Sequence, residues 1–264
     1  MNAVILALLS LSGLGFCFGL LLAWASKKFQ LKVDPRIIEI NDLLPQANCG
    51  ACGLAGCTNF AEALVEEKVE LNACVVCSSD NKKQIAHVLG LDSEGAKLAA
   101  RLAVVSCGGG VNCKDKFEYR GLKDCRVAVL TMQGNKQCRF ACVGQGSCVD
   151  VCPFNAIKMA DTGLPIIDQA ACRGCQKCVA ICPRQLIFMI DREKKIYINC
   201  NSHDKGFVVT KNCKVGCIGC GKCVKTCPTK AIKLVDNLAV IDYKKCINCT
   251  KCVKECPTKT IAIL

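Results

Sequence analysis

Three stretches of the chain repeat one arrangement of thiols: Cys172-x2-Cys175-x2-Cys178-x3-Cys182-Pro183, Cys217-x2-Cys220-x2-Cys223-x3-Cys227-Pro228 and Cys246-x2-Cys249-x2-Cys252-x3-Cys256-Pro257. Thiols spaced this closely can converge on one inorganic centre, and the spacing is that of the bacterial ferredoxin run for [4Fe–4S] clusters. In that run the first three cysteines bind one cluster and the fourth binds the other cluster of a pair, so runs are read two at a time. The C-terminal pair predicts one set of Cys217, Cys220, Cys223 and Cys256, and another of Cys246, Cys249, Cys252 and Cys227. The remaining complete run has an altered partner, Cys142-x5-Cys148-x3-Cys152-Pro153, with Gln145 where the second thiol belongs. Cys138 is the candidate replacement, because it precedes Cys142 by the interval at which Cys213 precedes Cys217. The first pair therefore predicts Cys138, Cys142, Cys148 and Cys182 in one set, and Cys172, Cys175, Cys178 and Cys152 in the other.

The chain devotes 27 of its 264 residues to cysteine. That density signals a disulfide scaffold or a metal protein, and spacing separates the two. Bridges join distant partners, whereas these thiols cluster, and their odd total excludes complete pairing. Structural zinc sites use two separated pairs rather than four cysteines in one run. The net charge of +13 raises the question of nucleic acid. Its distribution gives another answer: residues 101–264 hold 27 Lys+Arg against 12 Asp+Glu, together with 21 of the cysteines. An oxidised cluster with four thiolates carries about −2, so much of the excess is counter-charge. With 5% aromatic residues the chain offers few stacking platforms for bases. No nucleotide-binding glycine motif follows a strand, so flavin and NAD chemistry is expected in partners.

Cys107, Cys113, Cys125, Cys200 and Cys213 stand outside the runs. Val104-Val-Ser-Cys107 resembles Tyr197-Ile-Asn-Cys200, and Cys125 precedes the first pair of runs much as Cys213 precedes the second. A further cluster drawn from these five is a candidate. Upstream lies Cys49-Gly-Ala-Cys52-Gly-Leu-Ala-Gly-Cys57, whose glycines let backbone wind tightly around a cofactor and present N–H groups to sulfur. Cys17 and Cys77 read as ordinary small residues.

The elements that must position these thiols are short. Residues 3–26 carry no charge and are long enough to cross a bilayer as a helix. Ala23-Trp24-Ala25 mimics a signal-peptidase site, but no basic segment precedes the apolar stretch. Lys27, Lys28 and Lys32 place the following chain in the cytoplasm, a reducing compartment that favours clusters over disulfides. Helices are expected over 36–47, 58–70 and 81–91, and strands over 102–105 and 126–130. Residues 156–159 with 164–168, and 231–235 with 238–242, read as hairpins. The fold class is α+β, divided as a transmembrane anchor (1–26), a small helical 4Fe-4S domain (27–92), a connecting α/β segment (93–132), a bacterial-type 2[4Fe–4S] ferredoxin-like domain (133–190), a connector (191–212) and a second such domain (213–264).

Together, the membrane helix, the Cys49–Cys57 motif followed by Cys74, and the tandem runs resemble the B subunit of the Rnf complex, in the long form of anaerobic bacteria. The resemblance covers essentially the whole chain. It implies an N-terminal [4Fe–4S] site at Cys49, Cys52, Cys57 and Cys74, giving at least five clusters, or six with the extra cysteines. It further implies a relay that takes electrons from soluble ferredoxin and passes them to other membrane and peripheral Rnf subunits. The assembly would be an ion-translocating ferredoxin:NAD oxidoreductase in the cell (inner) membrane. No catalytic residue is expected in this chain, and no nucleic-acid partner. A related membrane complex that reduces a redox-sensing transcription factor would share the same features.

Overall fold

The computed structural model describes residues 2–29, 34–91 and 101–264. Helix α1 (Asn2–Lys28) carries the uncharged N-terminal stretch and ends on Lys27 and Lys28. Its described side chains from Leu11 to Trp24 are exposed. Among the described residues no helix is long and apolar enough to cross a membrane.

A small helical unit follows. Helix α2 (Pro35–Leu43) begins on Asp34, whose carboxylate accepts the Arg36 N–H at 2.9 Å, with Pro35 in the first turn where its missing donor costs nothing. It packs on α3 (Cys57–Val65) and α4 (Ser79–Val88), the latter capped by Ser78 through the Asn81 N–H at 3.2 Å. Ile40, Phe60, Ala61, Leu64 and Ile85 form the core. Each large side chain buried there contributes about 1.5–3 kcal/mol. The helices expected at 36–47, 58–70 and 81–91 are present, each starting one or two residues earlier and ending three to five residues sooner.

The remainder consists of two ferredoxin-like units, each holding two two-stranded antiparallel sheets. In the first, β2 (Ile157–Met159) and β3 (Pro165–Ile167) form a hairpin, while β1 (Arg101–Val105) pairs with β4 (Ile187–Asp191). In the second, β6 (Ile232–Val235) and β7 (Leu238–Ile241) form the hairpin, while β5 (Ile196–Ile198) pairs with β8 (Ile261–Ile263). Both hairpins lie where the alternation of residue types places them. The unit boundaries do not: β1 comes from the segment read as a connection at 93–132, and β5 from the connector at 191–212. Each closes the sheet of the unit that follows, burying Leu102 and Val104 on one side and Ile196 and Ile198 on the other.

Residues 126–130, expected as a strand, belong to helix α5 (Cys125–Leu130). Asp124 caps it by accepting the Arg126 N–H at 2.7 Å, and the buried positions are Cys125 and Ala128, a helical interval. An apolar run this short fits either period, and here the cap decides. The other helices, α6 (Ser147–Asp150), α7 (Lys177–Ile181), α8 (Gly206–Asn212), α9 (Lys222–Thr226) and α10 (Lys251–Glu255), are single turns that seat cysteines, apart from α8, which leads into Cys213.

Candidate iron–sulfur centres

The four runs share a backbone as well as a spacing. Each has a left-handed residue two places after its first cysteine: Gly144, Gly174, Gly219 and Asn248. A second precedes the helical turn, at Gly146, Gln176, Gly221 and Thr250, and a third follows the Cys-Pro pair, at Asn155, Gln185, Lys230 and Lys259. Left-handed backbone is costly for most residues and is held where the surroundings require it. The altered run keeps all three turns, so Gln145 replaces a thiol without changing the frame. Beyond the third turn, backbone N–H groups donate to sulfur: Leu186 to Cys182 at 3.4 Å, Ala231 to Cys227 at 3.3 Å and Thr260 to Cys256 at 3.3 Å.

These turns gather the thiols around cavities. Cys152, Cys172, Cys175 and Cys178 line one of about 330 Å³. Cys217, Cys220, Cys223 and Cys256 line another of about 360 Å³, and Cys49, Cys52, Cys57 and Cys74 a third of about 330 Å³. Cys252 interacts electrostatically with Cys249, Cys246 and Cys227, which makes the fourth grouping. Among the described residues no three His, Cys, Asp or Glu side chains are gathered as tightly as a single metal ion requires. Four thiols lining one cavity suit a polyatomic centre with several attachment points, and the donor set of soft sulfurs with backbone N–H groups aimed at them fits a [4Fe–4S] cluster.

The altered run is completed differently from the expected set. Cys142 and Cys148 have Cys125 as a neighbour, and Cys148 also has Cys182, because the N-terminus of α5 is fastened to α6 by the Cys125 N–H donating to Ser147 Oγ at 2.8 Å. Cys138 faces elsewhere. It lines a cavity of about 430 Å³ between the two ferredoxin-like units, together with Cys107, Cys113, Cys200 and Cys213. Four of the five cysteines left outside the runs therefore meet, and the fifth, Cys125, exchanges places with Cys138.

Electrostatics follow burial. Desolvation is the largest influence on Cys142 and Cys178, each pushed up to about 12, and on Cys148 and Cys223, each pushed up to about 11. Cys74 is drawn down to about 6 by a hydrogen bond with Cys77, whose own thiol is pushed up, while the buried Lys82 adds positive charge to both. Cys77, read from sequence as an ordinary small residue, thus touches a member of the N-terminal set. Its position three residues beyond Cys74 was the available signal.

Comparison with known proteins finds iron–sulfur families over the same parts of the chain. A 4Fe-4S dicluster domain family matches residues 141–186 and again 216–260, and an Fe-S cluster family matches residues 44–76. The chain is 46% identical to the B subunit of the proton-translocating ferredoxin:NAD(+) oxidoreductase complex of Clostridium ljungdahlii, covering 92% of this chain and 85% of that one. It is 40% identical to the B subunit of the ion-translocating oxidoreductase complex of Methanosarcina acetivorans, over 89% of each chain. It is 37% identical to the B subunit of the Na(+)-translocating ferredoxin:NAD(+) oxidoreductase complex of Acetobacterium woodii, over 93% of this chain and 73% of that one. The chain belongs to the family of Rnf B subunits. As a member of that family it is the iron–sulfur electron-transfer component of an ion-translocating oxidoreductase, and its partners include the other subunits of that complex.

Proposed function

We propose that this Rnf component relays electrons from reduced ferredoxin, received at its C-terminal unit, towards the N-terminal set beside the membrane helix. When bound, a [4Fe–4S] cluster supplies one-electron storage at each set of thiols. The protein's share is to hold the sets in order. Cys49 of the N-terminal set interacts with Cys175, and Cys178 of that set's neighbour interacts with Cys148. The sets thus succeed one another from the N-terminal unit into the first ferredoxin-like unit. N–H donation to Cys182, Cys227 and Cys256 favours the more negative, reduced state at those positions.

Charge carries the direction. Residues 211–264 hold 11 lysines against Asp236, Asp242 and Glu255, and all 11 lysines are exposed. Two clusters at about −2 each leave this surface basic, and Cys220 is exposed within it. Residues 133–190 carry six basic and three acidic side chains, so two clusters leave that unit slightly negative. An acidic redox protein is steered to the C-terminal unit, an effect on association rate that salt screens. Helix α1, uncharged from Ala3 to Ser26, serves as a single-pass anchor with the iron–sulfur units on the cytoplasmic side.

The test is the second-order rate of reduction by ferredoxin against ionic strength, for the wild type and for a Lys222→Glu, Lys225→Glu, Lys251→Glu, Lys254→Glu variant that keeps its iron. The wild-type rate should fall with salt, whereas the variant, whose C-terminal unit is net negative with its clusters, should be slow at low salt and speed up as salt screens the repulsion. An unchanged rate at low salt would remove the C-terminal unit as the receiving surface.

A further inference from the structure

We propose that the cavity between the two ferredoxin-like units is a further [4Fe–4S] site, with Cys107, Cys138, Cys200 and Cys213 as its ligands and Cys113 as their hydrogen-bonding neighbour. The proposal rests on the relay reading and deepens it by joining its two halves. All five cysteines lie outside the segments matched by the iron–sulfur families, residues 44–76, 141–186 and 216–260. No local run marks the site, because four separate segments, residues 107–113, 138–141, 199–204 and 209–216, bring its thiols together.

The construction is a repeat meeting itself. Strand β1 leads into Cys107 and strand β5 leads into Cys200, and the two exits are joined where the Gly108 N–H donates to the Asn199 carbonyl at 2.9 Å. Cys213 follows α8, and Cys113 pairs with it across an isolated antiparallel bridge. The cavity, about 430 Å³, matches or exceeds the three cysteine-lined cavities of the sets described above. Gly108, Gly109 and Gly216 line it, so backbone approaches its space closely. A Cβ on Gly109 would sit 3.1 Å from Cys113 Cβ and 3.5 Å from Cys107 Sγ, and one on Gly216 would collide with Val209.

Sulfur in this cavity receives backbone N–H groups as it does in the runs. The Cys142 N–H donates to Cys107 at 3.4 Å and the Ser202 N–H to Cys200 at 3.4 Å. The Cys113 thiol lies 3.8 Å from the Lys114 carbonyl and hydrogen-bonds Cys213, its partner across the bridge, so Cys213 is taken as the ligand of the pair. Lys136, 14% exposed, donates to the Gly110 carbonyl at 3.0 Å and pairs with Asp115 at 2.8 Å, which places an ion pair beside the cavity. The site also touches both neighbours: Cys107 through Cys142 of the first unit, and Cys200 through the N–H of Cys217 of the second.

The experiment is iron and acid-labile sulfide counting on the anaerobically purified full chain, with EPR spin quantitation after reduction. Six four-iron centres give about 24 irons per chain, and five give about 20. The wild type should hold about 24, a Cys107→Ala, Cys200→Ala variant about 20, and a Cys125→Ala variant a different 20 with altered EPR of the first unit. A wild-type count of about 20 overturns the site, as does a Cys107→Ala, Cys200→Ala variant that retains the wild-type count. Should that variant fail to fold, the wild-type count and spin integration decide alone. Neither readout depends on ferredoxin, so a failed charge-reversal experiment leaves this result standing and the reverse also holds.

Discussion

Ser147 Oγ accepts the backbone N–H of Cys125 at 2.8 Å, and this bond fastens the first turn of α5 to the first turn of α6. Ser147 is buried, so removing its hydroxyl leaves a buried donor without a partner, at a cost of about 1–3 kcal/mol. Ser147→Ala is expected to lower the unfolding midpoint and make the centre at Cys125, Cys142, Cys148 and Cys182 the first to be lost. Iron release to a chelator, followed beside EPR, checks this. Loss of the Cys152, Cys172, Cys175 and Cys178 centre first would contradict it.

That bond also shows where sequence stops informing. Within the runs, thiols and turns are a few residues apart, so spacing identifies two of the cysteine-lined cavities, and the alternation of residue types places both hairpins. The exchange of Cys125 for Cys138 depends on α5 folding back onto α6 across 22 residues, a contact with no local signature. Interval matching favoured Cys138 because Cys213 stands at the same distance before its run, and both residues do share a cavity, though one that neither run encloses. The strand contributed by β1 was legible as a strand, but its partner, 80 or more residues away, was not.

Gly219 and Gly53 are both left-handed, with φ of +65° and +85°, yet their surroundings differ. A Cβ at Gly53 meets nothing within 4 Å, whereas one at Gly219 would lie 2.8 Å from the Asn237 carbonyl oxygen. Gly53→Ala should cost about 1–2 kcal/mol for the backbone conformation alone. Gly219→Ala should cost more, because backbone cannot step aside as a flexible side chain does. Thermal unfolding of the two iron-loaded variants compares them directly, and an equal loss would show that Asn237 yields freely.

Burial raises the thiols of Cys142, Cys148, Cys178 and Cys223 to about 11 or 12, so an empty site keeps these protons at neutral pH. Ligand thiolates hold none, and loading therefore releases protons. A raised folded-state pKa also means that the empty protein loses stability as pH rises above the ordinary thiol value of about 8.5. Between about pH 7 and pH 8.5 the proton release is the effect that acts, and it favours the loaded form at higher pH. Anaerobic cluster retention against a chelator is expected to improve between about pH 7 and pH 8.5, and a flat or falling dependence would show that proton release does not govern loading.

Gly15 and Gly19 stand one turn apart on α1, and a Cβ added to either meets nothing within 4 Å. Their neighbours Leu14, Phe16, Phe18 and Leu20 are exposed, so the glycines form a shallow open strip on an otherwise bulky helix. In a bilayer, helices associate through close packing rather than through a hydrophobic drive, and a G-x3-G strip lets a second backbone approach. On the proposed reading of α1 as an anchor, Gly15→Leu with Gly19→Leu fills that strip without adding charge, so insertion should be unaffected while the seat on a neighbouring helix is lost. The expected result is normal membrane localisation with markedly reduced co-purification of the membrane partners, read by quantitative blotting after detergent extraction. Recovery of the partners in wild-type proportion would show that the strip is not a packing face and that the iron–sulfur units alone hold the chain in its complex.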